Sequence, residues 1–395
     1  MNEEIKGRLE QIRRGELPDG YKRTTVKIAP ESWNIKPLKE ADRIQGVYPY
    51  YGASGIIDYV NDFIFDGEYI LLGEDGANIL DRSSPLAFRI SGKCWVNNHA
   101  HVLQPRQGFD IDYLTNYLES LSYEKYNSGT AQPKLNQNVC GKIIITFPPL
   151  EEQRKIAAIL SAQDSVIALK ERLFAEKLRQ KKYLMQQLLS GKQRLPGFHG
   201  RWNAHSLCDI TERRTTRNIA QCDRVLTISG QYGLIEQWSF FDKTVASADK
   251  SNYFFLERDD FAYNKSRSTG YPFGAIKRLK KYDTGIVSPL YICFRISSQL
   301  VTAEYMEHYF EANLINQEIK FIAQEGARNH GLLNIGVDDF FNLKVYLPPV
   351  DEQMAIADIL SAADREIELL RASLEQEKRK KKALSQLLLT GIVRV

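Results

Sequence analysis

The sequence predicts an α+β fold built twice along one chain. Two globular α+β blocks are separated by two long helices, packed as a coiled-coil-like pair with a pseudo-twofold internal repeat. Three observations carry this expectation. Phe147–Leu195 and Leu347–Val395 align without a gap at an offset of 200, with 22 identities in 49 positions, and repeats of this kind decide architecture before local patterns do. Both copies show helical apolar periodicity. Both follow stretches of short, strand-like runs broken by Gly, Asn and Asp.

The elements follow in chain order. A length of 395 residues corresponds to roughly two to three domains. The opening MNEEIKGRLEQIRRGEL has no apolar stretch, so no secretory leader is expected. Leu17-Pro18-Asp19-Gly20 echoes Leu195-Pro196-Gly197 at an offset of 178, which makes the second copy 22 residues longer. In residues 47–103 the strand-like runs are YPYYGASGIIDYV, EYILLGEDG, PLAFRI and CWVNNHAHVL. A helical stretch is expected near Asp112–Tyr123 and a closing strand over Lys142–Phe147. In the second block VLTISG, NYFFLE, FAYNKS and GIVSPLYICF are the corresponding runs, followed by a helical stretch over Ala303–Ile322 and a strand over Asn342–Leu347.

The repeated segments read as helices. Ile156, Leu160, Ile167, Phe174, Leu178, Met185 and Leu188 form one apolar stripe. Ile356, Leu360, Ala363, Ile367, Leu370 and Leu374 form its counterpart. Pro148-Pro149 and Pro348-Pro349 suit the residues just before a helix. Glu151-Glu152 and Asp351-Glu352 place acid in the first turn, where the helix dipole favours it. Gly191 and Gly391 sit where a left-handed C-cap belongs. Ser161-x-x-Asp164 and Ser361-x-x-Asp364 resemble internal capping boxes, which suggests a short helix followed by a long one. About 39 helical residues at roughly 1.5 Å each span about 58 Å. Two such helices with single stripes would pack on each other as a coiled-coil-like pair, the reading the matching offset favours, or each on its own block.

Charge excludes a global polyanion field. The chain carries 53 basic and 49 acidic residues, net +4; residues 1–150 are net −2, 151–195 net +5, 196–350 net +1 and 351–395 net 0. A nucleic-acid surface on either block must therefore be a local patch. Lys378-Arg379-Lys380-Lys381-Lys382 on a helix reads first as a solvated face. The five cysteines form no Cys-x-x-Cys pair and are expected as reduced thiols. No apolar run approaches the roughly 18 to 20 residues of a bilayer span.

The motifs of catalysis are missing. Pro148-Pro149 and Pro348-Pro349 follow Phe147 and Leu347, without the Asp or Asn that holds a target amino group in amino-methyltransferases. There is no Gly-x-Gly loop for S-adenosylmethionine or a dinucleotide and no Gly-Lys-Ser/Thr. Glu4-Ile-Lys6 and Glu318-Ile-Lys320 resemble the tail of a nuclease site, but Glu-x-Lys arises readily on charged helices. The six histidines form no metal-ligand spacing with cysteines.

PPLEEQRKIAAILSAQD and PPVDEQMAIADILSAAD, with the linker LLSGKQRLPGFHGRW, resemble the DNA specificity (S) subunit of type I restriction-modification systems. GEDGANIL with WVNNHAHVL, and YNKSRSTGYPFGAIKR with GIVSPLY, resemble patterns in target recognition domains of that family. The resemblance covers nearly the whole chain. It implies a first recognition domain over 1–150, a helical spacer over 151–191, a second recognition domain over 192–350 and a second spacer over 351–395. Each recognition domain would read one half of an asymmetric, bipartite double-stranded DNA site, while the two long helices would pack antiparallel, set the spacing and dock two methyltransferase (M) subunits. The chain itself would bind no cofactor; S-adenosylmethionine would sit in the partner methyltransferase. A restriction and translocation (R) subunit could join the complex. The chain would be cytoplasmic, bind no membrane and hold no metal.

Side-chain chemistry selects the candidate residues. Asn and Gln suit adenine and Arg and Lys suit guanine in the major groove. Block one offers Tyr50, Tyr51, Ser54, Asn98, His99, Gln132, Lys134 and Asn136; block two offers Lys265, Ser266, Arg267, Arg328, Asn329 and His330. Each is equally a polar loop residue satisfying its own turn. His99 and His101 are equally readable as buried, hydrogen-bonded side chains. Subunit docking and helix pairing are assigned to Glu152, Gln153, Ile156, Leu160, Ile167, Glu352, Gln353, Ile356, Leu360 and Ile367. Two other readings stay open from the residues alone. One is a stand-alone DNA methyltransferase or nuclease with unfamiliar motifs; the other is a coiled-coil scaffold for protein partners.

Overall fold

A computed structural model describes residues 7–8, 10–12, 14, 16–23, 28–31, 44–129, 132–219, 221–230, 232–238, 249–325 and 331–395. The chain packs as two compact units: residues 1–164 with 379–395, and residues 165–378. Each unit therefore takes a stretch of both repeated helical segments.

The first unit opens with a small hairpin, β1 (Tyr21–Arg23) against β2 (Ile28–Pro30). Its main sheet comprises β3 (Gln45–Gly52), β4 (Gly55–Val60), β5 (Phe65–Gly73), β6 (Ala87–Val96) and β7 (Ala100–Leu103), in the order β4-β3-β6-β5-β7. The inner strand β5 runs antiparallel to both β6 and β7. Its alternating side chains feed two cores, as strand geometry requires. Ile70 and Leu72 pack with Leu114 and Leu118, whereas Leu71 packs with Ile90, Cys94 and Ala100. A short helix α1 (Asn78–Asp81) follows β5, and α2 (Ile111–Ser120) covers one face of the sheet. Asp110 caps α2 by accepting from Tyr113 N at 2.9 Å.

After the short helix α3 (Gln137–Cys140) the expected strand over Lys142–Phe147 forms no ladder among the described residues. Side chains hold this segment instead. Tyr113 Oη donates to Thr146 O at 3.1 Å, and Tyr117 Oη lies 3.0 Å from Thr146 Oγ1. The segment leads into α4 (Leu150–Leu188).

The second unit pairs β8 (Asn203–Ser206) with a strand far along the chain. Then come α5 (Leu207–Ile210), β9 (Thr211–Arg213), β10 (Leu226–Ser229), β11 (Gly233–Glu236), β12 (Phe254–Glu257), β13 (Phe261–Asn264), β14 (Ala275–Arg278), β15 (Thr284–Val287) and β16 (Ile292–Ile296). The main sheet has the order β14-β13-β16-β9, with β13 antiparallel to both neighbours. Phe261, Tyr263 and Phe294 face one core, and Ala262 and Cys293 face another. The expected helix over Ala303–Ile322 is split into α6 (Ala303–Glu311) and α7 (Asn316–Ile322). Asn313, at φ +59°, takes the left-handed conformation that ends the first piece. The short pair β17 (Gln324–Glu325) and β18 (Leu333–Asn334), then α8 (Val337–Phe341) and β19 (Lys344–Leu347), complete the unit, and β19 pairs with β8. The last helix is α9 (Val350–Leu389).

Both long helices are continuous, with 39 and 40 residues, so the short-then-long division suggested by Ser161-x-x-Asp164 and Ser361-x-x-Asp364 is corrected. The would-be capping carboxylates bind lysines instead. Asp364 meets Lys181 at 2.5 Å within the second unit, and Asp164 meets Lys381 at 2.5 Å within the first. In the second unit Lys170–Glu377 at 2.8 Å and Lys177–Glu366 at 2.7 Å continue the ladder, and falling numbers on one helix meet rising numbers on the other. The helices are therefore antiparallel there. Gly191 at φ +70° and Gly391 at φ +74° take the left-handed conformation expected after each helix.

Candidate nucleic-acid interface

In the first unit the polar candidates gather at one end of the main sheet. Ser54 is exposed in the turn between β3 and β4. Asn97 N donates to Tyr51 O at 3.0 Å, which sets the β6–β7 turn beside that hairpin. Asn98 and His99 are exposed on this turn. Glu74 N donates to His99 O at 2.8 Å, and His99 Nδ1 lies 2.8 Å from Asp75 Oδ2. The loop after β5 then runs along residues 133–135. Leu135 N donates to Glu74 O at 2.7 Å, Asp75 bridges Lys134, and Gly76 N donates to Pro133 O at 3.1 Å. Gln132 and Lys134 are exposed on that strip, with Lys134 Nζ 3.2 Å from Glu74 Oε1.

Three candidates have a structural use. Tyr51 is half-buried, its ring 6.2 Å from Phe88. Asn136 caps α3 by accepting from Val139 N at 2.9 Å and donates to Ser128 Oγ at 3.2 Å. Tyr50 is half-buried within β3. Of the two histidines read as buried, His101 fits, with Nε2 2.7 Å from Leu135 O. His99 does not: its side chain is 51% exposed.

The second unit builds a related strip. β13 ends at Asn264, whose Oδ1 accepts from Ser266 N at 3.1 Å. Leu333 N donates to Lys265 O at 3.1 Å, Ser266 bridges Leu332, and Arg267 N donates to Gly331 O at 2.8 Å. Lys265 and Ser266 are half-buried and Arg267 is exposed. Arg328, Asn329 and His330 lie outside the described residues, as do Glu4 and Lys6.

The helical candidates divide. Ile156 and Leu160 are buried in the first unit beside Leu388 and Leu389. Ile356 and Leu360 are buried in the second beside Leu188 and Leu189, Ile367 is buried and Ile167 half-buried. Glu152, Gln153, Glu352 and Gln353 are also inside their units, so direct docking of another subunit on these four is corrected. Glu352 accepts from Arg194 Nε and Nη2, both at 2.6 Å, and Glu152 accepts the same pair from Arg394 at 2.6 Å. Gln353 Oε1 accepts from Thr302 N at 3.1 Å, and its Nε2 donates to Leu300 O at 2.9 Å and Pro348 O at 2.8 Å. Gln153 repeats this with Asp110 N, Gly108 O and Pro148 O at 2.9, 3.0 and 2.9 Å. A buried amide or carboxylate in such a place must be satisfied by its own chain.

Arg194 and Arg394 were not singled out from the sequence, although they are identical residues at the repeat offset of 200. A second missed signal is DYLTNYLE against EYMEHYFE. Tyr113 and Tyr305 occupy the same place after their caps, Asp110 and Thr302, in α2 and α6. The basic run at 378–382 is partly absorbed by the helix pair, through Lys378–Glu171 at 2.9 Å and Lys381–Asp164 at 2.5 Å.

Two sheets, each ending in polar loops, in two units whose cores each take residues from both repeated helices, define a doubled recognition protein. The family model described as "type I restriction modification DNA specificity domain" matches residues 33–176 and 291–378. The chain belongs to this family and is a type I restriction-modification specificity subunit. A putative type I restriction enzyme specificity subunit from Haemophilus influenzae is 26% identical over 347 residues, covering 82% of each chain. The MjaVIII specificity subunit from Methanocaldococcus jannaschii is 23% identical over 93% of this chain and 94% of its own. The crystal structure of a type I S subunit from M. genitalium shares the fold, with a TM-score of 0.54 at 14% identity, covering 89% of this chain and 91% of that one. Among the described residues no helix is long and apolar enough to cross a membrane.

Proposed function

We propose that this specificity subunit reads an asymmetric, interrupted DNA site through two target recognition domains, residues 1–150 and 192–350. The spacer helices, 151–191 and 351–395, fix the distance between the half-sites. The observation that carries this reading is that two loop strips of unlike sequence are mounted on like scaffolds. The scaffold repeats, down to Gln153 and Gln353, while the exposed side chains differ. Unlike readers on a repeated frame fit two different half-sites.

Catalysis belongs to partner subunits in this reading. Pro149 O and Pro349 O accept from the backbone of Gln153 and Gln353 at 3.1 and 3.0 Å, so both Pro-Pro pairs serve as helix entries. Neither is preceded by a side chain that could hold a target amine. The methyltransferase subunits, with their S-adenosylmethionine, supply that chemistry, and in systems that have a restriction subunit it joins them. The complex works in the cytoplasm.

Docking falls to exposed aliphatic positions that the repeat retains. Ile159 and Ile359 are 36% and 37% exposed, and Leu169 and Leu369 are 63% and 72% exposed. An exposed leucine kept in both copies suits two copies of one partner, since a helix face turned to water has no need of it. The test is to express the chain with its methyltransferase partner and map methylated adenines across the genome. An interrupted motif with two different halves is expected; a continuous or palindromic motif overturns the reading. Leu169→Glu with Leu369→Glu should reduce co-purification of the partner while leaving the melting temperature unchanged.

A further inference from the structure

The loops that follow the two inner strands β5 and β13 are equivalent in backbone register, although their sequences are unrelated. Leu135 N to Glu74 O matches Leu333 N to Lys265 O. The bridge Asp75–Lys134 matches Ser266–Leu332. Gly76 N to Pro133 O matches Arg267 N to Gly331 O. Three successive links pair residues 74, 75 and 76 with 265, 266 and 267 at one constant offset of 191, and 133–135 with 331–333 at 198. Each loop leaves a strand flanked by antiparallel neighbours on both sides. The frame is the same and the chemistry is reversed: Glu74 stands where the second unit has Lys265.

We infer that this loop is the base-reading element of each recognition domain, and that Asp75 selects, in the first half-site, a base offering an amino group to the major groove. The inference rests on the DNA-reading function proposed above. An ionised carboxylate only accepts hydrogen bonds, and in the major groove the amino donors are cytosine N4 and adenine N6. Asp75 is held by one bond from the ring of His99, with its side chain 26% exposed. A carboxylate has about four lone-pair directions, so acceptor capacity remains after that bond. His99 thus works as the positioning residue for Asp75. In the second unit the equivalent loop carries the cationic donors Lys265 and Arg267 on either side of the Ser266 hydroxyl, and cationic donors of that kind select guanine.

The experiment uses the complete complex of this chain with its methyltransferase partner, and DNA libraries randomised in one half-site at a time. Asp75→Ala should lower discrimination at a single cytosine or adenine of the first half-site by roughly ten- to a hundred-fold, with second half-site preferences unchanged. Asp75→Asn, which keeps the volume and adds a donor, should broaden the preference at the same position. His99→Ala should give a smaller loss there, and Arg267→Ala should relax one guanine of the second half-site. Melting temperatures of the variants identify any that fail to fold, and the Asn variant then carries the test. If both Asp75 variants keep the wild-type base preferences, or lose affinity for every sequence alike, the assignment is overturned. If the wild-type complex itself shows no base preference, the DNA-reading function fails as well.

Discussion

Arg194 closes on Glu352 with two parallel hydrogen bonds of 2.6 Å, and the carboxylate it holds is wholly buried. Arg194 follows the end of one long helix and Glu352 opens the other. The same clasp recurs in the first unit between Arg394 and Glu152, whose side chain is 10% exposed. Planar, two-point pairing of this kind fixes geometry as well as charge. In each unit it ties the start of one helix to the segment that leaves the other.

Removing the arginine leaves the enclosed carboxylate without its two-point partner, and a buried charge stripped of its partner is costly. Arg194→Ala should therefore destabilise the second unit more than Arg394→Ala destabilises the first, because Glu352 is the more deeply enclosed carboxylate. Adding Glu352→Gln to Arg194→Ala should restore part of the loss. Thermal or urea unfolding of the three variants checks this; equal midpoints for Arg194→Ala and wild type would remove the clasp from the account of stability.

The clasps also show what the sequence could and could not reveal. The long helices, their pairing and the strand-rich blocks were legible because apolar periodicity and the repeat express packing directly, whereas the antiparallel sense followed only from the family resemblance. Arg194 and Arg394 stood in the aligned repeat, but nothing local says that an exposed-looking arginine reaches a glutamate 158 residues away. Glu152 and Gln153 were assigned to docking and helix pairing by the family resemblance, and nothing in the sequence around them shows that their own chain already binds them. Lys142–Phe147 looked like a strand, yet the hydroxyls of Tyr113 and Tyr117 bind Thr146 where a neighbouring strand would pair. The equivalence of the loops at Asp75 and Ser266 was invisible because it resides in backbone bonds, which place almost no demand on side-chain identity.

Gln353 binds three backbone groups: Thr302 N, Leu300 O and Pro348 O. Truncating it orphans Pro348 O in the interior and loses the part-buried bonds to Thr302 N and Leu300 O, and a buried group left unsatisfied costs about 1–3 kcal/mol. Gln353→Ala should lower stability by about 3 kcal/mol, and Gln353→Glu by as much, since a carboxylate cannot donate to the two carbonyls. Gln153→Ala should act equivalently on the first unit. Urea denaturation followed by tyrosine and tryptophan fluorescence measures the loss; a change below about 0.5 kcal/mol, typical of surface positions, would contradict the burial of this amide.

His308 is buried on α6, with Nε2 3.1 Å from Ser361 Oγ and Nδ1 3.8 Å from Asp364. Burial holds its pKa below the ordinary value of 6.5, against the opposing pull of Asp364 and Glu307 and alongside repulsion from Lys181 and Lys280. The unfolded chain therefore binds a proton below about pH 6.5 that the folded chain refuses. Stability from this group is complete above that pH and falls as pH drops toward the folded value. His308→Gln, which keeps a polar partner for Ser361, should flatten the decline in unfolding midpoint between about pH 7 and pH 5.5. An unchanged decline would place its origin elsewhere.

The helix pair can be shortened without breaking its register. Residues 171–174 and 371–374 face each other in the second unit, where the Arg371 guanidinium lies 5.6 Å from the centre of the Phe174 ring. Deleting both quartets keeps Lys177–Glu366 and Lys181–Asp364 in place on one side of the cut. Each helix loses about 6 Å at 1.5 Å per residue, close to two base pairs at 3.4 Å. Four residues exceed one turn of 3.6 by about 40°, so the blocks also rotate slightly and affinity should fall. The recognised site should keep the bases of both halves and lose about two base pairs from the gap between them. Methylation mapping with the double-deletion chain reads this directly. A gap of unchanged length, with methylation intact, would mean that something other than these helices sets the spacing.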